Sequence, residues 1–383
     1  MHPAVRKWLP RTEPFIVEGI ALAGSLCVFS VFLLAVGSQP LGVFGDMLDG
    51  AFGSSFSIQN TLTRAAPLML TALCTVLPAR VGLVVIGNEG ALLLGGLGAV
   101  VAARVTAGLP PEAVMLAMLL VGGLTGGLWI TTCGLLRQKR GVNETISSLL
   151  LYYIALAVFL WLVEGPLRDP SSLNKPATYP VGQDNMLASI PGTDVHLGLL
   201  FGVAACVLSY VLTHHTTFGF GSRVAGGNSR TALMMGLPLS RYVIVLCMLG
   251  GAAAGLAGVV EVSAIHETAN ASLNAGLGFA GILVAFVARQ HPLAVIPVAI
   301  LIGGIEASGG LLQRRHDLPD ATVDVFQGIL FVMILGCETL FGKFPGLRPE
   351  APPPPKPAAP RGAGGTPEHS EALLSSEPST GLV

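Results

Sequence analysis

The chain has 383 residues, 52% of them hydrophobic and only 11% charged, with a formal net charge of −1 and a mean hydropathy of +0.70. A soluble domain carries about 25% charge and must cover its surface with polar groups, so this composition excludes a water-soluble globule and points to lipid as the solvent. The charge balance also excludes a nucleic-acid partner, which needs a basic surface.

A helix needs about 20 apolar residues to cross the hydrocarbon of a bilayer. Windows of that kind fall at 15–37, 62–80, 83–105, 113–136, 145–164, 195–213, 241–264, 276–289, 292–312 and 322–341. They predict an all-α membrane protein with about ten transmembrane helices. The first window ends in Ser38-Gln39-Pro40, not in a small-x-small cleavage site, and is read as a retained span. The third is interrupted by Gly87-Asn88-Glu89-Gly90, and the eighth is short and broken from the ninth at His291-Pro292. Broken segments inside a membrane line a cavity, because lipid cannot satisfy freed backbone groups. The organisation expected is a cytoplasmic N-terminus over 1–14, a transmembrane domain over 15–342 and a tail over 343–383. That tail carries Pro352 to Pro355 and is rich in Pro, Ala, Gly and Ser, a composition that predicts a disordered cytoplasmic segment.

Lys and Arg set the orientation. Arg6, Lys7 and Arg11, then Arg137-Gln138-Lys139-Arg140, then Arg223, Arg230 and Arg241 all fall inside if the N-terminus is inside. The C-terminus is then inside too. Gln313-Arg314-Arg315-His316-Asp317 disagrees and falls outside. An internal repeat resolves the conflict: the stretch from Gly134 to Glu144 resembles that from Gly310 to Asp320, and both follow a Gly-Gly-containing span (Gly122-Gly123, Gly303-Gly304). Five spans separate the copies, so they have opposite orientation, as in two inverted five-helix repeats.

The six cysteines (Cys27, Cys74, Cys133, Cys206, Cys247, Cys337) have no CxxC spacing. They suggest neither zinc nor disulfides and are read as small free hydrophobes. There is no GxxxxGK[ST], HExxH or GxSxG, so no enzyme, no metal site and no nucleotide cradle is expected in this chain. The segment after the sixth span reads Gly226-Gly227-Asn228-Ser229-Arg230-Thr231-Ala232-Leu233-Met234-Met235-Gly236-Leu237-Pro238. Asn228 suits an N-cap, Gly236 suits the left-handed position after a helix, and Pro238 stops continuation. Two turns of helix from Ser229 to Met235 are predicted, too few to be stable alone. They need something to dock on, either the ends of the chain's own spans or a separate cytoplasmic subunit.

Asn88 and Glu89 lie within an apolar segment. An ionisable group at that depth marks a pathway or an interhelical pair. Glu89 is open to three readings: a pathway residue, a partner for Arg80, or a cap on a broken helix. Asn143 suits a cap on the fifth span, with Glu144 at its positive dipole end. Glu261, Glu267 and Glu306 are read as interfacial. Phe279, in Gly278-Phe279-Ala280-Gly281, is read as packing. Asn88, Glu89, Asn143 and Phe279 form the candidate pathway set.

These residues carry a family resemblance. Gly82-Leu83-Val84-Val85-Ile86-Gly87-Asn88-Glu89-Gly90, Gly141-Val142-Asn143-Glu144-Thr145-Ile146-Ser147 and Gly165-Pro166-Leu167-Arg168-Asp169-Pro170 come first in the chain. They are followed by the Gly-Asn-Ser-Arg-Thr-Ala loop, Gly278-Phe279-Ala280-Gly281-Ile282 and Val323-Asp324-Val325-Phe326-Gln327-Gly328. In that order, over about residues 15 to 342, they resemble the permeases of bacterial ABC importers in the branched-chain amino acid, ribose and nucleoside group. The nucleoside-type permeases are the most similar, through Gly-Val-Asn-Glu and Gly-Pro-Leu-Arg-Asp-Pro. The family often has Asn-Ile-Gly-x-Glu-Gly-Gln, where this chain has Val85 and Ala91 at the first and last positions.

The resemblance implies a type II-importer-like fold in the bacterial inner membrane, surrounded by lipid and paired with a second permease chain. It implies a substrate-binding protein outside and two ATPase subunits inside, which hold the ATP and Mg; this chain holds no cofactor. Gly226 to Gly236 would be the ATPase-coupling loop. The substrate implied is a nucleoside, with a simple sugar second. Two other classes stay open on the residues alone, an ion-coupled secondary transporter using Glu89 and a non-transporting scaffold.

Overall fold

The computed structural model describes residues 3–172 and 175–338. The expected tail over 343–383 lies outside the described residues. The chain divides into a main unit, Phe15–Thr339, and a second one formed by Met1–Pro14 and Leu340–Val383. The helices of the main unit are α1 (Pro3–Val36, which begins in the second unit), α2 (Pro40–Phe52), α3 (Ser55–Ala79), α4 (Asn88–Val105), α5 (Pro111–Arg140) and α6 (Glu144–Glu164). Then come α7 (Gly198–His214), α8 (Thr217–Gly227), α9 (Ser229–Met234), α10 (Leu239–Glu261), α11 (Leu277–Val287), α12 (Val295–His316) and α13 (Ala321–Glu338).

Seven of these helices are long and apolar enough to cross a membrane, or eight if α7 and α8, bent by 74°, count as one span. Ten apolar windows were expected. The shortfall lies where the chain is broken or short: 195–213 yields an α7 of 17 residues, 276–289 an α11 of 11 residues, and 322–341 overlaps α13, whose apolar part is Ala321–Cys337.

Two helices were not foreseen. In α2, Pro40 starts the helix at a position whose amide would be unpaired anyway, and Val43, Met47, Gly50 and Ala51 form its buried face. In α8, Thr216 caps the helix by accepting from the Gly219 amide at 3.1 Å. Gly226 and Gly227, read as loop, are the last residues of α8.

The centre of the bundle is α3, buried along its length from Ala65 to Pro78. Lipid tails are as apolar as leucine, so helices in a membrane associate through close packing of small residues. Here α5 and α10 do so through Gly122, Gly126, Gly251 and Gly255. A Cβ on Gly255 would overlap the Gly122 carbonyl, and one on Gly258 would overlap the Leu92 carbonyl of α4.

The two related turns lie at opposite ends of α3. At the α5–α6 turn Gly141 is left-handed with φ 66°, and at the α12–α13 turn Asp317 has φ 53°. The C-terminal part of α5 lies against the start of α10, where Gly134 meets Val243 and Cys247, and that end also holds α8, whose Gly226 sits on Arg80. In contrast, α12 runs toward the start of α3: Gly303 meets Ala65, and Ser308 meets Gly50 of α2. Two of the cations that opposed the charge rule, Arg315 and His316, are paired there. Arg315 Nη1 and His316 Nε2 both reach Asp46 of α2, the latter at 2.7 Å. The His316 hydrogen bond, reinforced by Arg315, holds the Asp46 carboxyl below its usual range.

Candidate functional site

Two helix N-termini meet in the middle of the bundle. After α3 the chain turns back through 80–87, held by side chains that replace a backbone ladder. The Thr75 hydroxyl donates to the Val85 carbonyl at 3.2 Å, Thr145 donates to Val84 at 3.1 Å, and the Ile86 amide donates to Ser148 Oγ at 3.0 Å. α4 then starts at Asn88. Its side-chain amide donates to the Thr71 carbonyl at 3.1 Å and to Thr75 Oγ1 at 2.9 Å. Thr71 in turn donates to the Leu277 carbonyl at the start of α11, at 3.2 Å.

Glu89 joins the starts of α4 and α11. It is fully buried. Its Oε1 accepts from the Gly276 amide at 2.9 Å and its Oε2 accepts from the Gly278 amide. A carboxylate at these positive helix ends is electrostatically favoured, and it satisfies amides that lipid could not. Of the structural readings open in the sequence, capping a broken helix is the one found. Arg80 turns elsewhere, its Nη2 donating to the Gln290 carbonyl at 3.5 Å. Gly276 needs its left-handed φ of 82° to turn into α11, where glycine alone carries little penalty.

The candidate pathway residues do not all gather here. Phe279, one turn into α11, stands edge-on to Tyr152 with ring centres 5.2 Å apart and remains 39% exposed, so it is not a core residue. Asn143 sits apart at the α5–α6 turn. It caps α6 by accepting from the Ile146 amide at 3.1 Å, while Glu144 pairs with Arg137 at 3.4 Å.

Beside the α11 start lies a cavity of about 350 Å³ whose lining includes Ile86, Phe279, Glu306, Asp324, Gln327 and Phe331. Glu306 corrects an expectation: it is not interfacial but lies midway along α12. Gln327 Nε2 donates to Glu306 Oε1 at 3.3 Å, and Glu306 Oε2 is buried without a hydrogen-bond partner. The sequence carried a signal for Glu306, an acid in the middle of an apolar run. Gln327 lay inside a recognised motif but was not singled out.

At the far end of α3, the α8–α9 segment takes its expected form. Asn228 Oδ1 accepts from the Arg230 and Thr231 amides at 3.0 and 3.1 Å, and Gly236 is left-handed at φ 71°. Ala232 is buried and anchors α9, whereas Leu233, Met234 and Met235 are 61%, 86% and 60% exposed. The helix rests on its own bundle by one side and turns three large apolar side chains outward.

Among the described residues, a helical bundle of this hydropathy, with two helices starting at its centre, defines a multi-pass membrane protein. Residues 57–335 match the family described as branched-chain amino acid transport system / permease component, and the chain belongs to that family. It is 32% identical over 349 residues to the glucose ABC transporter permease protein TsgB13 of Haloferax volcanii, covering 87% of this chain and 89% of that one. It is 25% identical over 336 residues to the guanosine ABC transporter permease protein NupP of Bacillus subtilis, covering 85% and 94%. A second guanosine ABC transporter permease protein of Bacillus subtilis, NupQ, is 26% identical over 295 residues, covering 73% and 91%.

Proposed function

We infer that this chain is one permease subunit of an ATP-driven importer for nucleosides or simple sugars, working in the bacterial inner membrane. The observation that carries this reading is α9. A six-residue helix that is capped on both sides, anchored by Ala232 and exposing Leu233, Met234 and Met235 is built to be covered. An ATPase subunit that holds ATP and Mg is the proposed partner, with α9 seated in its surface. ATP binding brings two such subunits together and moves the helices attached to them. The permease switches access because the closed ATPase pair favours one arrangement over the other; without differential affinity nothing would shift.

On this reading ten crossings run N-in and C-in as two inverted five-span repeats. Here α4 would cross as a whole helix, and 267–287 as an irregular segment joined to the short α11. The two related turns at opposite ends of α3 support the inversion. A second permease chain would complete the pathway, as the existence of two different guanosine permease proteins in Bacillus subtilis suggests, and a substrate-binding protein would deliver solute from outside. The alternative of an ion-coupled carrier relies on Glu89 as a relay. Its engagement by two backbone amides favours a structural role.

Met234→Asp tests the docking. The variant should reach the membrane at wild-type level but lose co-purification with the ATPase and lose uptake. Undiminished ATPase association would remove α9 from the coupling role.

A further inference from the structure

A groove of about 610 Å³ runs along the surface shared by α4, α5 and the end of α6. On α4 it is lined by Leu94, Leu97 and Val101, whose i, i+3, i+7 spacing puts them on one helix face. Val121 and Leu128 of α5 and Leu167, just past α6, complete it. Leu97 is buried at its floor, while Val101, Val121 and Leu128 are exposed at its rim. The polar groups of the lining are engaged elsewhere. The Thr125 and Thr132 hydroxyls donate to the Gly122 and Leu128 carbonyls, each at 3.0 Å, and Trp129 Nε1 is buried beside Gly90 of α4. The groove therefore offers apolar surface to whatever fills it.

One end of the groove is different. One turn past Val101 the same side of α4 reaches Arg104, which is exposed in the last turn of the helix. Its guanidinium carbon lies over the Tyr179 ring, 4.3 Å from the centre. An antiparallel bridge between Arg168 and Thr178 brings Tyr179 alongside Leu167, so Arg104 stands at the mouth. Among the described residues no carboxylate pairs with Arg104. An exposed arginine and tyrosine, with Trp161 exposed in the last turn of α6, mark the boundary between hydrocarbon and headgroups. This end lies away from α9, because α5 runs from Val121 here to Gly134 beside the start of α10. From Leu94 to Arg104 a helix rises about 15 Å, half of the roughly 30 Å of hydrocarbon in a bilayer. A groove one leaflet deep is too short to seat a spanning helix of another chain, and it matches one acyl chain.

We propose that this groove holds a glycerophospholipid of the leaflet opposite α9, with one acyl chain along α4 and α5 and the phosphate on Arg104. Arginine is the side chain best shaped to hold a phosphate through paired N–H donors. The acyl chain alone would gain nothing by leaving the bilayer, since lipid tails are as apolar as leucine. The headgroup contact is therefore what distinguishes this lipid from its neighbours. The site needs only that the chain spans a membrane; that its leaflet is the outer one follows from placing α9 inside.

Native mass spectrometry tests the site. The full-length protein, purified in detergent with its co-purifying subunits and stripped of lipid, is titrated with palmitoyl-oleoyl phosphatidylglycerol or with dioleoylglycerol, which has the tails without the phosphate. The wild type should retain the phospholipid and release dioleoylglycerol. Arg104→Gln should lower phospholipid retention about tenfold, the loss of one charge-assisted hydrogen bond, and Arg104→Lys should keep most of it. Val101→Trp fills the groove and should lower retention as far. Leu120→Trp, also exposed on α5 but outside the groove, should behave as wild type. Arg104 and Leu120 are exposed, so these variants should keep the wild-type thermal midpoint. Equal retention of the two lipids, or unchanged retention in Arg104→Gln, would overturn the proposal. So would loss of a protein subunit in place of lipid from Val101→Trp, which would make the groove an interface between chains.

Discussion

Glu89 is the residue on which structure and mechanism divide most sharply. As a cap it holds the start of α11 through the Gly276 and Gly278 amides. Glu89→Ala strands the buried Gly278 amide, at about 1–3 kcal/mol, and the half-buried Gly276 amide, which should lower the thermal midpoint of the purified complex and reduce uptake in parallel. Glu89→Gln keeps one carbonyl oxygen and should fall between the two, retaining substantial uptake. A relay carboxylate would behave differently, with Glu89→Gln abolishing uptake at unchanged thermal stability. The sequence exposed this residue because an acid in an apolar run is conspicuous. It hid the partners because they are backbone amides, the first of them 187 residues away. Asn143, Asn228 and Gly236 were fully legible by contrast, because a cap and a left-handed stop act on their immediate neighbours. Glu306 misled: although an acid within an apolar run, it was read as interfacial, and it lies midway along α12.

At the scale of helices, the seam between α5 and α10 makes a paired prediction. Replacing helical glycine by alanine gains about 0.5–1 kcal/mol where space allows. Gly310 of α12 has nothing within 4 Å of an added Cβ, whereas at Gly255 that carbon would overlap the Gly122 carbonyl. Gly310→Ala should therefore hold or raise the thermal midpoint. Gly255→Ala should lower it by an amount equivalent to about 1–3 kcal/mol of overpacking. Equal effects of the two would contradict the seam. At the other end, Gly236→Val penalises the left-handed turn after α9; the subunit should insert normally and lose ATPase association, and normal co-purification would count against that turn's role. Long apolar helices such as α3, α5 and α12 were legible from hydropathy. Helix α2 was missed although Pro40 and the Val43, Met47, Gly50 spacing announce it, because a 13-residue helix falls below a membrane-span window. Helix α8 was missed because Gly219, Gly221, Gly226 and Gly227 read as loop, while each of Gly219, Gly221 and Gly226 is in fact pressed against Thr213, Tyr242 or Arg80.

For the molecule as a whole, the broken segments connect fold to function. A chain that needed only to anchor in lipid would not bury Asn88 and Glu89 or stop two helices in the middle of its bundle. Those breaks bring the 80–87 turn and the start of α11 to one place, beside a cavity that holds Glu306 and Gln327. Transport driven by ATP through partner subunits is tested most directly by initial uptake of labelled guanosine and labelled glucose into cells with and without this gene, with ion gradients collapsed and ATP kept high. Gene-dependent uptake that survives collapse of the gradients is the expected result. Uptake that vanishes with the gradients while ATP remains high would contradict it.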